Sequence, residues 1–215
     1  MIRNFTKDEI AEMREEFIEL LRKIERPNAN IEGLINKLDE SDFFYAPAST
    51  KYHNSCYGGL VAHSLNVYHN MVNITIMKGF SEVIPEESVI ICALLHDLSK
   101  MNFYEPTARN KKVYSPDGSK YDELGNFDWV SEMGWAVRPW KDRLAFGSHE
   151  ENSEFMVRCY IPLNIAESAA ILNHHGCISN PSMSNTVSEI FHRYPVAMLL
   201  HTADMMATFI DEDAP

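Results

Sequence analysis

The sequence predicts a helical protein interrupted by one insertion that carries a β-hairpin. Three observations point there. Capping patterns recur at Thr6–Glu9 (TKDE), Asn164–Glu167 (NIAE) and Thr186–Glu189 (TVSE), each suited to satisfy unpaired backbone N–H groups at a helix start. Apolar residues then return every three or four positions, as in Ile10, Met13, Phe17, Leu20, Leu21 and Ile24, the spacing of one buried helix face. The longest break in this periodicity runs from Asn102 to Phe146 and contains KKVYSPDGSKY. There a Pro-Asp-Gly turn separates two short alternating strands.

The chain of 215 residues fits a single domain large enough to bury a core. Hydrophobic residues make up 45% and charged residues 23%, a globular rather than a disordered balance. No apolar run reaches membrane-span length, and MIRNFTKDEI lacks the apolar region of a signal peptide. The net charge of −12 argues against a duplex nucleic-acid surface, which needs a basic face. It leaves room for an anionic small substrate, because bound metal ions reverse the local sign. Cys56, Cys92, Cys159 and Cys177 are scattered without a CxxC pair. They read as reduced thiols of a cytoplasmic protein.

In order, the first helix follows Thr6 and stops at Arg26-Pro27, and a second fits Ile31 to Leu38. Both, within residues 1–40, are expected to be packing helices. Phe43 to Tyr57 reads as a loop rich in aromatic and small polar residues. Lys51, Tyr52 and His53 on it are candidates for substrate contact, or members of an ordinary surface loop. Gly58-Gly59 leads into a long helix, Leu60 to Lys78, ended by Gly79. His63 sits in its first turns. His69, on the same helix, is expected to be an ordinary hydrogen-bonded histidine.

Pro85-Glu86-Glu87 opens the next helix, with proline and acids in the first turn as the dipole favours. It ends in IICALLHDLSK, which places His96 and Asp97 at the close of an apolar run and Lys100 shortly after. Two ligand-type side chains there are costly to desolvate unless a charged group binds them. A divalent metal answers that need, since imidazole and carboxylate together suit several such ions. Adjacent helical residues diverge by about 100°. Both can therefore serve one centre only if the ion lies over the helix end, or if Asp97 bridges two ions.

The insertion, residues 102–146, reads as a lid or as a structural excursion that buries Trp129, Trp135 and Trp140. Arg109, Lys111, Lys112, Lys141 and Arg143 within it are either phosphate contacts or a solvated face. His149 falls in the first turn of the following helix. His174 and His175 close the helix AESAAILNHH at Gly176, where the dipole favours a cation. Pro195 marks a break before the apolar stretch MLLHTADMMATFI, in which Asp204 needs a partner. His201, one turn earlier, is that partner or an outer hydrogen-bonding group. The tail DEDAP is expected to fray.

The ordered set GGLVAHS, LLHDLSK, a later His, ILNHHG and HTAD resembles the HD-domain metal-dependent phosphohydrolase superfamily, over about Tyr52 to Ile210. Within it the chain looks most similar to uncharacterised HD proteins of bacteria and phages. The resemblance implies an all-α core that holds metal between helices. By it, His63, His96, Asp97 and Asp204 would bind one ion. His149 and His174 would bind a second, with Asp97 as the bridge. His175 has no assigned place, although members with a tandem HH sometimes use both. The sequence after His175 reads GCISNPS, which departs from the GYP signature of cyclic-dinucleotide phosphodiesterases.

The expected cofactor is one or two divalent ions: manganese, iron, nickel, cobalt, zinc or magnesium. The expected activity is hydrolysis of a phosphoester bond in a nucleotide or short single-stranded oligonucleotide. Asp97 and Lys100 would be catalytic, and Lys51, His53, Lys100 and Arg109 would meet the substrate. Lys100 reads equally as a snorkelling lysine at a helix end. Glu150, His175 and His201 are candidates for supporting contacts to the ligands. Two other classes use comparable residues: a mixed-valent di-iron oxygenase with the same six ligands, and a regulatory module built on a structural metal. Structural zinc sites close at four ligands, and six are available here.

Overall fold

The structure is a computed structural model that describes residues 5–144, 146–177 and 181–212. Among these, eight α-helices surround the core: α1 (Lys7–Leu21), α2 (Ile31–Asp39), α3 (Gly59–Met77), α4 (Glu86–Leu95), α5 (His149–Arg158), α6 (Ile165–Leu172), α7 (Ser184–Arg193) and α8 (Pro195–Met206). Three strands, β1 (Tyr104–Tyr114), β2 (Lys120–Asp122) and β3 (Gly125–Val137), form an antiparallel sheet in the insertion. No described helix is long and apolar enough to cross a membrane.

Helix α4 organises the core because it is apolar on every side. Every residue from Ser88 to Leu95 is buried, as a helix without a polar face must be. It packs against α1, α3, α6 and α8. Ile90, Ile91, Leu94 and Leu95 are wholly enclosed, each burial contributing about 1.5–3 kcal/mol. The end of α4 therefore delivers His96 and Asp97 to the middle of the protein rather than to its surface.

Several helix ends follow the sequence signals. Thr6–Glu9 and Asn164–Glu167 form reciprocal capping boxes, and Ser148 with Glu151 forms a third that starts α5. Pro195 occupies the first turn of α8, where its missing N–H is harmless. Other boundaries differ. Helix α1 ends at Leu21 rather than at Arg26-Pro27. Thr186 lies inside a helix rather than at its start: α7 already begins at Ser184.

The insertion also differs from the expected hairpin. β1 and β2 do not pair with each other. Instead β3 lies between them, in the order β1-β3-β2, with Tyr104 opposite Val137 and Lys120 opposite Phe127. The Pro-Asp-Gly segment carries the chain around the end of β3, anchored by Ser115 N–H to Asn126 O and Asn126 Nδ2 to Pro116 O. A long central strand offers two hydrogen-bonding edges, and that outweighs the short local pairing.

Candidate metal centre

Helix α4 stops where the site begins. His96 is its last, half-helical residue, and Asp97 leaves the helix with φ −107° before the short turn Leu98–Lys100. Ser99 ties that turn to α5: its Oγ donates to His149 O (2.8 Å) and its N–H donates to Ser153 Oγ (3.1 Å). His149, fifty residues beyond Ser99, is thereby held against Asp97. His63 comes from the start of α3, where Gly59 lets the preceding loop approach. A Cβ at Gly59 would stand 2.0 Å from Asn54 O. Beyond α6, Gly176 adopts φ +60° and leaves room for the His201 ring. His201 Nδ1–H donates to His174 O at 2.6 Å.

These elements bring six predicted residues together around one carboxylate. On one side of Asp97, His63 Nε2 lies 3.3 Å from His96 Nε2, 3.2 Å from Asp204 Oδ1 and 3.6 Å from Asp97 Oδ2. His96 Nε2 is 3.4 Å from the same Oδ2. On the other side, His149 Nε2 and His174 Nε2 stand 3.4 Å apart, at 3.5 and 3.8 Å from Asp97 Oδ1. The two oxygens of Asp97 thus face two separate pairs of imidazoles.

The outer ring nitrogens fix which atom points inward. His96 Nδ1 is 2.9 Å from Ala93 O, and His174 Nδ1 is 2.7 Å from Ile171 O. A carbonyl oxygen only accepts, so both Nδ1 atoms carry hydrogen, and it is Nε2 of each ring that faces inward, able to offer its lone pair to a cation. His63 Nδ1 meets Glu212, and His149 Nδ1 lies 3.2 Å from Glu150 Oε2. Lone pairs and carboxylate oxygens crowded within 4 Å repel unless a cation lies among them. Asp97 Oδ1, fully buried, has no hydrogen-bond partner among the described residues, a costly state for an anion.

The donor set passes the test of fit. Ligand atoms about 2.1 Å from one ion, at angles of 90–109°, stand roughly 3.0–3.4 Å apart, close to the separations around each oxygen of Asp97. His63, His96 and Asp97 form one group able to hold an ion, and His149, His174 and His175 form another.

Electrostatics agree with this division. Burial disfavours charge on His63, yet Glu212 and Asp204 outweigh it and push the imidazole up to about 10. This half of the site therefore favours a positive charge. In the other half, burial and then His96 push His174 down to about 3, and burial also lowers His149. Asp97 is held well below the usual carboxylate range: burial opposes this, but Lys100 and His96 prevail. Asp204 is likewise held low against burial, chiefly by His63.

No protein-family model, curated protein or solved structure matches the chain.

Lys100 Nζ lies 2.6 Å from Asp97 Oδ2. His53 packs its ring 5.0 Å from that of His63 and keeps a buried Nε2 with no hydrogen-bond partner among the described residues. Burial, with the nearby charge of His63, pushes His53 down to about 4. Glu150 accepts from His175 Nδ1 at 2.9 Å while its other oxygen faces His149, so one carboxylate orients two imidazoles. Lys51 is exposed. Arg109 is not drawn into the cluster: its guanidinium donates to Thr50 O (3.0 Å) and to Trp135 O. His69 pairs with Glu16 at 2.7 Å on the surface, as expected of an ordinary histidine.

Glu212 was not anticipated. The tail was expected to fray, but Asp211 and Glu212 dock on α3 through Asn70 and Asn66, and residues 213–215 lie outside the described residues. Beside the His149 half opens a cavity of about 790 Å³, bordered by Ser148, Glu150, Asn173, His175 and the apolar Leu172 and Val187.

Proposed function

We propose that the protein is a metal-dependent phosphohydrolase of the HD-domain type, acting on a phosphoester of a nucleotide or short single-stranded oligonucleotide. The carrying observation is Asp97, buried, with one oxygen toward His63 and His96 and the other toward His149 and His174. That arrangement suits a carboxylate shared by two divalent ions. The ordered motifs of the sequence support the same reading.

In this reading His63, His96, Asp97 and Asp204 would hold one ion, and His149, His174 and Asp97 a second, with His175 beside them. Such ions would supply an acidified water and a counter-charge for phosphoryl oxygens in a displacement at phosphorus. The protein's own groups do the rest. Lys100 keeps its charge beside Asp97, raised by that carboxylate against burial, and would hold a phosphate oxygen as charge develops. His53, held neutral by burial beside His63, is the residue of the loop before α3 that would meet the substrate. Glu150 keeps His149 and His175 oriented. A cavity of about 790 Å³ falls within the range for small-molecule sites, and its Leu172 and Val187 offer an apolar wall for a base.

The test is release of phosphate and nucleoside, followed by mass spectrometry, from ribo-, deoxyribo-, cyclic and short oligonucleotides. Manganese, cobalt, nickel, magnesium and iron are supplied in turn, with Asp97→Ala as the control. Cleavage abolished in the variant establishes the reaction and names the bond. Silence across the panel, with iron bound in the purified protein, replaces the phosphohydrolase by the oxygenase.

A further inference from the structure

The C-terminal end of the last helix touches the centre from behind. After Met206 the chain widens into one π-helical turn, Ala207–Asp211, and Glu212 closes it. Single π-turns of this kind recur at functional sites because they change the register of a helix. At 100° per residue, Glu212 would lie about 80° around the axis from Asp204. The wider turn brings it back to the same face, and both carboxylates meet one imidazole. Asp204 Oδ1 is 3.2 Å from His63 Nε2, and Glu212 Oε1 is 3.0 Å from His63 Nδ1.

Glu212 has the features of a built contact rather than of a solvated acid. Its side chain is 1% exposed. Asn66 Nδ2 donates to its Oε1 at 3.0 Å, and His63 Nδ1 also lies 3.2 Å from its Oε2. A buried carboxylate on the outer nitrogen of a histidine fixes the tautomer, aims the inner nitrogen and strengthens it as a donor. His53, His63 and Glu212 are also close enough to hold an ion among themselves. A neutral imidazole has only one lone pair, however, and His63 cannot give it outward while Nδ1–H faces Glu212.

We propose that Glu212 is a positioning residue for the His63 half of the centre, setting the affinity of that half for a divalent ion through the His63 imidazole. The proposal rests on the metal reading of the site and not on the reaction assigned to it.

The test uses the full chain, freed of metal and titrated with Co²⁺ against a competing chelator, while the visible absorption of the bound ion is recorded. Asp204→Asn identifies the binding event that belongs to the His63 half. Glu212→Gln is expected to weaken that event about 10–100-fold and to change its absorption, with the other event within twofold of wild type. ¹⁵N NMR of the imidazoles in the Zn²⁺-loaded protein is expected to show His63 as a single Nδ1–H tautomer in wild type and the loss of that tautomer in Glu212→Gln. Asn70→Ala, which loosens the docking of Asp211 without touching His63, is expected to leave both events in place. Wild-type affinity at both loci in Glu212→Gln overturns the proposal, as does an equal loss in Asn70→Ala, which would mean that docking alone matters. Absence of Co²⁺ binding by the wild-type chain overturns the metal reading and the proposal with it.

Discussion

Lys100 places its ammonium 2.6 Å from Oδ2 of Asp97, the oxygen that faces His63 and His96. Asp97 is buried and Lys100 only slightly exposed, so each charge depends strongly on the other. If Lys100 holds a phosphate oxygen, Lys100→Met should keep the bound metal and lower kcat by about 10²–10³-fold, the scale of removing one preorganised charge contact. Metal analysis beside steady-state kinetics checks this. A variant that loses its metal instead would show Lys100 to be a structural counter-ion of Asp97.

Asp97 is the only residue among the ligands that faces both imidazole pairs. Asp97→Ala should therefore remove metal and activity together, whereas His174→Ala should remove metal from one half alone. His69→Ala should leave metal content unchanged, since its ring meets Glu16 at the surface. Elemental analysis of the three purified variants decides it, and turnover retained by Asp97→Ala would end the two-ion assignment.

The six clustered residues were legible through the ordered motifs that carry the family resemblance. Local signals added to it for some: Gly58-Gly59 before His63, the close of an apolar run at His96-Asp97, and an acid in an apolar stretch at Asp204. His174 lies past the end of α6 at Leu172 rather than inside a helix closed by Gly176. Glu212 was not legible. Its position depends on a π-turn, and counting at 3.6 residues per turn turns it away from Asp204. The sheet was misread for a related reason. KKVY and SKY look like partners across Pro-Asp-Gly, but the strand both pair with is GNFDWVSEMGWAV, which sets Phe127, Trp129, Met133, Trp135 and Val137 on one face and offers no turn signal that favours it over the nearer partner. Arg109 illustrates another limit: a basic residue in a strand has the same appearance in sequence whether it faces a phosphate or a backbone carbonyl.

Arg109 leads to a prediction about the insertion. Its guanidinium joins Thr50 O in the loop before α3 to Trp135 O on β3, and Arg138 Nε donates to Tyr104 O at the base of the sheet. Arg109→Ala should release the sheet from that loop without disturbing the buried centre. Hydrogen exchange is expected to quicken in β1 and β3 and stay unchanged in α4, with metal content equal to wild type. Loss of metal in this variant would mean that the loop bearing His53 depends on the sheet for its position.

Glu167 should govern much of the acid stability. Its side chain is fully enclosed and accepts from Arg26 Nη1 (2.6 Å) and Nη2 (2.7 Å), Ser88 Oγ (2.7 Å) and, as part of its capping box, Asn164 N–H (2.9 Å). Burial raises the carboxyl, but Arg26, Ser88 and Asn164 outweigh it and hold Glu167 below its ordinary value of 4.5. A group lowered on folding stabilises above its unfolded value, so the contribution is complete above about pH 4.5. It is lost as pH falls through the lower folded value. Glu167→Ala leaves Arg26 without its main partner and should cost about 3–5 kcal/mol near neutral pH. Denaturant unfolding measured from pH 7 downward checks both statements. The difference between wild type and variant should be constant above about pH 5 and shrink as the solution becomes more acidic. A difference that grew on acidification would mean that Glu167 is protonated in the folded protein.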